Sequence, residues 1–185
     1  MDELYKTELH QISEGHVFYQ FQEEEAYMNN LLAFIKSGLE NKEQILIIES
    51  MRILPKVREK INILVEGNHQ SSIRLVNNYE YYLSKGDFHT QTIINYFQSD
   101  IVAIKKTNST IRTWAHVEWT SSEPDIELLK EFESIADNFV SEESMLSVCT
   151  YSSALLTPNL INALDELHTY VMTDNTFSRS SLYSK

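Results

Sequence analysis

The residues of this chain that are best suited to chemistry are a single cysteine and six histidines. With only Cys149 available, an intramolecular disulfide and a cysteine-cluster zinc site are both excluded. No two histidines have the HExxH spacing of a zinc protease. His16, His116 and His168 could join Cys149 around a metal ion only if the fold brought distant segments together, so we expect no metal. The histidines are His10, His16, His69, His89, His116 and His168.

A second group of polar side chains lies in the segment WAHVEW, where residue types alternate as in a strand. Trp114, His116 and Glu118 should share one face of this strand, which is polar for a buried element. His116 and Glu118 either satisfy each other inside the protein or form part of a ligand pocket, and the sequence leaves both interpretations open.

The chemistry of nucleotide hydrolysis has no counterpart in the sequence. A phosphate-binding loop needs glycines between the first strand and the first helix, but the junction from Gln20 to Glu25 has none and carries three carboxylates. No serine has the flanking glycines of a hydrolase elbow. Cys149 lies in an apolar segment that favours an inert core thiol. We therefore expect a protein that is not an enzyme and has no cofactor, with a metal- or cysteine-dependent enzyme as an alternative.

The charge balance limits the classes of partner. A formal net charge of -12 repels nucleic-acid backbones and anionic lipid surfaces, and no basic segment offsets it. The sequence contains no signal-peptide pattern and no apolar run long enough for a membrane span. We expect a cytoplasmic protein with no direct contact to nucleic acid or membrane.

Strand-like and helix-like patterns alternate along the chain. The patterns predict strands at residues 16–21, 44–49, 72–76, 110–119 and 145–151, and helices at 23–39, 54–66, 90–105, about 122–140 and 158–171. Gly67 is expected to end the second helix, and residues 85–87 to form a turn. One domain should span residues 1–172, followed by a flexible tail at 173–185.

Such alternation predicts an α/β fold with three layers. Parallel neighbouring strands need crossover connections, so we expect a mostly parallel sheet of at least five strands with helices on both faces. Ligands of such sheets bind beyond the carboxyl ends of the strands, and the candidate residues are expected to cluster there.

An ordered series of motifs resembles the MEDS family, a sensory domain named after methanogens, methylotrophs and a dichloromethane-responsive regulator. The resemblance extends from about Gly15 to Asn175. It rests on Gly15 and His16 followed by Tyr19, on residues 34–39 with Glu43, and on residues 82–88, 112–119, 149–151 and 164–168. One departure is His116, which stands where the family pattern leads us to expect an acidic residue three positions before Trp119.

The resemblance implies a core like that of the RecA and KaiC ATPases from which the phosphate loop has been lost. It implies a sensor of small, hydrocarbon-derived molecules. The candidate ligand-binding residues that the resemblance implies are His16, Tyr19, His116, Glu118, Trp119, Cys149, Tyr151 and His168.

Two functions from different classes follow from these expectations. The first is a non-enzymatic sensor that binds a small organic ligand and signals to a separate partner, such as a histidine kinase or regulator, or through self-association, since no helix-turn-helix or kinase segment is recognised. The second is an adaptor or inhibitor with a RecA-like shape and no small-molecule site.

Overall fold

A computed structural model describes residues 9–85, 88–120 and 124–185. Within these residues one seven-stranded sheet runs through the molecule. Its strands are β1 (Gly15–Phe21), β2 (Gln44–Glu49), β3 (Ile73–Asn77), β4 (Ile111–His116), β5 (Leu146–Ser152), β6 (Tyr170–Thr173) and β7 (Phe177–Arg179).

Helices connect the strands and cover both faces of the sheet. They are α1 (Glu24–Glu40), α2 (Leu54–Leu64), α3 (Gly67–Gln70), α4 (Asn78–Tyr82), α5 (Thr90–Ile104), α6 (Ile126–Glu142) and α7 (Pro158–Leu167). A short 3₁₀ turn, Ser153–Leu155, follows β5.

The strand order is β3-β2-β4-β5-β1-β6-β7. Every neighbouring pair is parallel except β6 and β7, which run antiparallel at one edge. The predicted α/β fold, with a mostly parallel sheet of at least five strands between helices, is therefore confirmed.

Two hydrophobic cores lie on opposite faces of this sheet. The first packs α4, α5, α6 and α7 against residues such as Phe18, Ala115 and Cys149. The second packs α1 and α2 against residues such as Val17, Trp114 and Val148. Side chains alternate between the two cores along each strand, as the pleat requires. All six residues of β2 are buried, because this strand lies inside the sheet and is covered on both sides.

Helix α1 forms where the apolar spacing predicts it. Tyr27, Leu31, Phe34 and Ile35 make its buried stripe, and Glu24 and Glu25 occupy the first turn, where the helix dipole favours negative charge. The stripe packs α1 against β1 and β2. The β1–α1 junction directly follows the last residue of β1 and therefore lies at the carboxyl edge of the sheet.

Four predicted boundaries are wrong. Strand β4 ends at His116, three residues before the predicted end at Trp119. Helix α2 ends at Leu64, and Gly67 begins the short helix α3 instead of closing α2. Helix α6 begins at Ile126 and not near residue 122. Its cap is Asp125, whose carboxylate accepts from the amides of Glu127 and Leu128, and Pro124 lies before the cap. Helix α7 ends at Leu167 because residues 170–173 pair with β1 as strand β6. Residues 86 and 87 of the predicted turn, and the predicted start of the fourth helix near residue 122, lie outside the described residues.

The segment 173–185, for which the sequence predicts a flexible tail, is instead tied to the domain. Strand β7 pairs with β6, and the Ser180 hydroxyl donates to the backbone carbonyl of Asp165 at 2.7 Å. The Tyr183 hydroxyl donates to Asp137 at 3.2 Å, and Lys185 forms an ion pair with the same carboxylate. Among the helices that the structure describes, none has the length and apolar character needed to cross a bilayer.

Candidate functional site

The predicted site residues fall into two main groups on opposite faces of the sheet. His16, Cys149 and His168 converge under helix α6, with Tyr151 beside them. His116 and Glu118 lie at the carboxyl edge, on the side of α1. The expectation that the candidates cluster at the carboxyl edge holds for the second group only, because His16 is the second residue of its strand and Cys149 lies in the middle of β5.

The first group surrounds one carboxylate, Glu133 of α6. His16 Nε2 and His168 Nε2 each lie 3.4 Å from Glu133 Oε2, and His16 Nε2 lies 3.3 Å from Cys149 Sγ. The two imidazole rings lie 3.9 Å apart between centroids. The Tyr151 hydroxyl donates to the other oxygen of Glu133. All five side chains are buried. We call His16, Glu133, Cys149 and His168 the buried cluster.

The outer atoms of the two histidines have partners of their own. His168 Nδ1 lies 2.7 Å from the backbone carbonyl oxygen of Leu164, and His16 Nδ1 lies 3.3 Å from Asp137 Oδ1. Asp137 and Glu133 are one turn apart on the buried face of α6. The helix therefore places two carboxylates on either side of His16.

Burial and charge set the protonation of the buried cluster. Burial, followed by the neighbouring His168, lowers the pKa of His16 below its usual value. Burial alone would raise the pKa of Glu133, but His168, His16 and the Tyr151 hydroxyl outweigh it and the pKa is lowered. Burial and the charge of Glu133 raise the pKa of the Cys149 thiol, which opposes spontaneous formation of a thiolate. His16 is therefore neutral and Glu133 ionised at neutral pH.

Asp137 connects the buried cluster to the surface. Burial would raise the pKa of this carboxyl, but His16 and Lys185 lower it to about 2. Together with His16, Asp137 lines an open pocket of about 460 Å³ at the amino edge of the sheet. The rest of the lining is Glu14, Gly15, Val140, Ser141, Ser144, Thr169, Tyr170, Arg179 and Tyr183. A molecule entering this amino-edge pocket can reach His16.

Gly15 shapes the wall of the amino-edge pocket. Its φ of +131° is a backbone conformation that residues other than glycine rarely adopt, and a Cβ there would lie 2.7 Å from the ring of Tyr170. The absence of a side chain lets β6 approach the start of β1 and brings Thr169 and Tyr170 next to His16.

The second group is a chain of hydrogen bonds at the carboxyl edge. His116 Nδ1 lies 2.6 Å from Glu49 Oε1, and Glu49 also accepts from the Tyr27 hydroxyl. On its other side His116 Nε2 lies 3.5 Å from Glu118 Oε1, and Asn78 donates to Glu118 at 2.9 Å. His116 is 3% exposed and Glu49 is fully buried. His116 and Glu118 thus satisfy each other and Glu49, which is the structural alternative left open by the sequence.

Tyr19 and Trp119 lie apart from both groups. The Tyr19 hydroxyl donates to Asp174 at 2.7 Å, on the face opposite the buried cluster. Trp119 packs its ring against Tyr151, with 6.1 Å between centroids, and does not line the amino-edge pocket.

The β1–α1 junction, where a nucleotide-hydrolysing protein holds phosphate, is occupied by a carboxylate of the chain itself. Asp174 Oδ2 accepts from the backbone amides of Gln22 at 3.0 Å and Glu23 at 2.8 Å. Glu24, at the start of α1, pairs with Arg52 and Lys56. Two of the amides that could bind an anion at this junction are therefore already satisfied.

The model of a known protein family matches most of the sequence. This family is described as the MEthanogen/methylotroph, DcmR Sensory domain, and the match covers residues 15–169. The chain belongs to the MEDS family. The family name describes a sensory domain and so supports a sensory role in general. No curated protein sequence matches this MEDS domain significantly.

Solved structures that resemble this MEDS domain are RecA- and KaiC-like. A KaiC-like protein from the archaeon Pyrococcus horikoshii is 14% identical with a TM-score of 0.54, covering 87% of this chain and 71% of that one. An ATPase domain is 8% identical with a TM-score of 0.59, covering 90% and 73%. The flagellar accessory protein FlaH from Methanocaldococcus jannaschii is 10% identical with a TM-score of 0.50, covering 88% and 72%. At these identities the likeness concerns the fold alone.

Glu133 and Asp137 are the two residues of this site that sequence reasoning missed. Neither was among the predicted site residues, because acidic residues are common on helix surfaces. The signal that could have found them is their position: both lie on the apolar stripe of α6 with Leu129, Phe132 and Val140. An acid on an apolar stripe needs a partner, and the MEDS motif histidines supply it.

Proposed function

We propose that this MEDS domain is a non-enzymatic sensor that binds a small organic, hydrocarbon-derived ligand and passes the signal to a separate protein. The observation that carries the proposal is the amino-edge pocket, which has His16 and Asp137 in its lining and the rest of the buried cluster behind them. Its volume of about 460 Å³ falls in the range of small-molecule sites, roughly 300–1,000 Å³.

The surroundings of Cys149 add space for an apolar part of the ligand. A small cavity of about 20 Å³, roughly the space for one water-sized group, lies beside Val140, which lines both spaces. Tyr82, Ile93 and Phe132 are among the side chains that give this cavity an apolar wall. A ligand with a polar group at His16 and a methyl-sized apolar end would match the two environments, provided that Val140 changes rotamer.

The β1–α1 junction supports a role without nucleotide hydrolysis. Asp174 already takes two of the amides that a phosphate would need, and Glu23, Glu24 and Glu25 add negative charge. A triphosphate would have to displace one carboxylate and approach three more. We expect homogeneous protein to show no saturable ATP turnover, measured by phosphate release with magnesium present. Saturable turnover that copurifies with the chain would contradict the non-enzymatic assignment.

A groove on the opposite face supports a protein partner. It lies between α1 and α2, has a volume of about 690 Å³, and includes Leu32, Leu39 and Leu64 in its lining. On α2, Ile63 is 73% exposed and Leu64 65% exposed, which is unusual for large apolar residues of one short helix. We propose that a signalling protein, such as a histidine kinase or regulator, contacts this face.

Filling the pocket tests the sensor proposal. Ser141 is exposed on α6 and lines the amino-edge pocket without belonging to the buried cluster. We expect Ser141→Trp to weaken binding of short-chain alcohols, amines or ketones at least ten-fold, because the indole occupies the ligand volume. Binding would be measured by isothermal titration calorimetry after a thermal-shift screen. The matched control is Asn175→Trp, which lines a separate hollow at the carboxyl edge.

Two outcomes would count against this assignment. The pocket is wrong if Ser141→Trp stays folded and binds the ligand with unchanged affinity. It is also wrong if the control variant loses affinity instead, because the ligand would then lie at the carboxyl edge. Retention of full affinity in a folded His16→Ala variant would remove His16 from the ligand contacts.

A further inference from the structure

We propose that His16, Glu133, Cys149 and His168 bind one transition-metal ion, with Zn²⁺ as the best fit. Each residue offers one ligand atom, and the four atoms all lie within 4.8 Å of one another. Every one of these side chains is buried. The proposal goes beyond the sensor function and is independent of it, since a metal could bind here whether or not an organic ligand enters the pocket.

The spacing of the atoms suits a tetrahedral ion. Zinc bonds of about 2.0–2.3 Å at tetrahedral angles place neighbouring ligand atoms roughly 3.3–3.7 Å apart. Three of the separations have this length: 3.4 Å from His16 Nε2 to Glu133 Oε2, 3.4 Å from His168 Nε2 to Glu133 Oε2, and 3.3 Å from His16 Nε2 to Cys149 Sγ. Small side-chain movements would complete the remaining edges.

The hydrogen bonds around the buried cluster aim the correct atoms inward. A carbonyl oxygen can only accept, so the contact of His168 Nδ1 with the Leu164 carbonyl places a proton on Nδ1 and leaves Nε2 as the free atom. His16 Nδ1 lies 3.3 Å from Asp137 Oδ1 without a hydrogen bond, and Nε2 is turned to Glu133 and Cys149. Histidine ligands of metals usually donate their second N–H to a carboxylate or carbonyl. His168 does so here, whereas His16 Nδ1 lies near a carboxylate without forming a hydrogen bond to it.

The arrangement is unfavourable if nothing occupies its centre. A neutral His168 directs the Nε2 lone pair at a carboxylate oxygen 3.4 Å away, so two acceptors face each other. Within the described residues, His168 Nε2 and Glu133 Oε2 are buried and have no hydrogen-bond partner. Buried polar atoms are rarely left in this state. Either a proton on imidazole or a metal ion resolves the conflict, and a metal satisfies the Nε2 atoms, the carboxylate and the thiolate together.

The donor set selects the metal. Two imidazole nitrogens, one sulfur and one carboxylate oxygen suit zinc and its neighbours, whereas magnesium and calcium prefer oxygen ligands alone. His16 and Asp137 also line the amino-edge pocket, which gives an ion a route from solvent to the otherwise closed centre.

Metal titration of the full chain tests the proposal. Protein treated with a chelator and desalted would be titrated with Zn²⁺ by calorimetry and with Co²⁺ by absorption spectroscopy. We expect one ion per chain and, for Co²⁺, a thiolate-to-metal charge-transfer band together with the visible bands of a tetrahedral ion. Cys149→Ser should abolish the charge-transfer band while the fold, followed by circular dichroism, is retained.

Two further variants separate ligation from folding. His168→Asn keeps a donor for the Leu164 carbonyl and removes Nε2, so it should weaken Zn²⁺ at least ten-fold. Asp137→Asn should weaken it by about 10–100-fold through the orientation of His16. The matched control is His69→Ala. His69 is exposed and lines the groove between α1 and α2, so this variant should leave the Zn²⁺ affinity unchanged.

The proposal is overturned by any of three results. These are the absence of stoichiometric Zn²⁺ or Co²⁺ binding to folded wild-type protein, a cobalt spectrum unchanged in Cys149→Ser, and a Zn²⁺ affinity unchanged in His168→Asn. In the first case the conflict at Glu133 is resolved by a protonated imidazole. Loss of organic-ligand binding in Ser141→Trp with metal binding intact would support the two proposals separately.

Discussion

At the scale of single residues, His116 makes a specific prediction about pH. Burial lowers the pKa of this imidazole, but the hydrogen bond and charge of Glu49, helped by Glu118, outweigh burial and a weak opposing effect of Arg52, so the pKa is raised above 6.5. The stabilisation of the folded state by protonated His116 is therefore fully present below pH 6.5. It is lost as the pH rises through the folded-state pKa of His116.

The comparison that checks this is urea unfolding of the wild type and His116→Asn between about pH 6 and about pH 9. We expect the free energy of unfolding of the wild type to fall over this range relative to that of the variant. A difference between the two proteins that does not change with pH would show that the His116–Glu49 contact is uncharged.

The sequence located the metal-type atoms of the buried cluster but not the carboxylates that organise them. His16, Cys149 and His168 stand out because histidine and cysteine are rare and fall on predicted elements. Glu133 and Asp137 do not stand out, because 27 acidic residues are spread along the chain and only the packing of α6 decides which of them are buried. His116, by contrast, lies on the face of the sheet opposite His16, Cys149 and His168. In the register of β4 and β5, Ala115 and not His116 pairs with Cys149, and the sequence does not reveal this register.

At the scale of secondary-structure elements, the packing of α1 on the sheet depends on one glycine. A Cβ on Gly38 would lie 2.8 Å from both Arg112 Cδ and Ile45 Cδ1. Arg112 is fixed there by a buried ion pair with Glu43 and by a 3.1 Å hydrogen bond to the Phe34 carbonyl. The arginine cannot move without exposing an unpaired charge to the core.

Gly38→Ala should therefore destabilise the protein by about 1–2 kcal/mol, because overpacking outweighs the helix propensity gained by alanine. Gly67→Ala is the matched control, since nothing lies within 4 Å of its Cβ position, and it should be neutral or slightly stabilising. Chemical denaturation of both variants checks this. Equal stability of the two would mean that α1 shifts freely over β2.

The elements themselves were more predictable than their ends. Strand β2 was predicted with both ends correct, because its apolar run is too short for a typical helix and is rich in β-branched isoleucine. Strands β6 and β7 were missed because four and three residues carry too little periodicity, and their pairing depends on the distant edge of β1.

At the scale of the whole molecule, residues after β6 complete the domain. Asp174 accepts from the amides of Gln22 and Glu23 and from the Tyr19 hydroxyl, so it links the sheet edge to the start of α1. We expect Asp174→Ala to cost about 1–3 kcal/mol, the range for hydrogen bonds to a charged group whose partners are left unpaired. Asn175→Ala, at an exposed neighbour, should change the thermal midpoint little. An equal effect of both would locate the loss in the turn and not in the carboxylate.

Strand β1 has a different partner at each end. His16 near its beginning belongs to the buried cluster, and the amide of Gln22 just past its other end donates to Asp174. Six residues of extended backbone separate them by about 20 Å. A molecule bound at the amino edge of the sheet would therefore act on the same strand whose far end Asp174 ties to the start of α1.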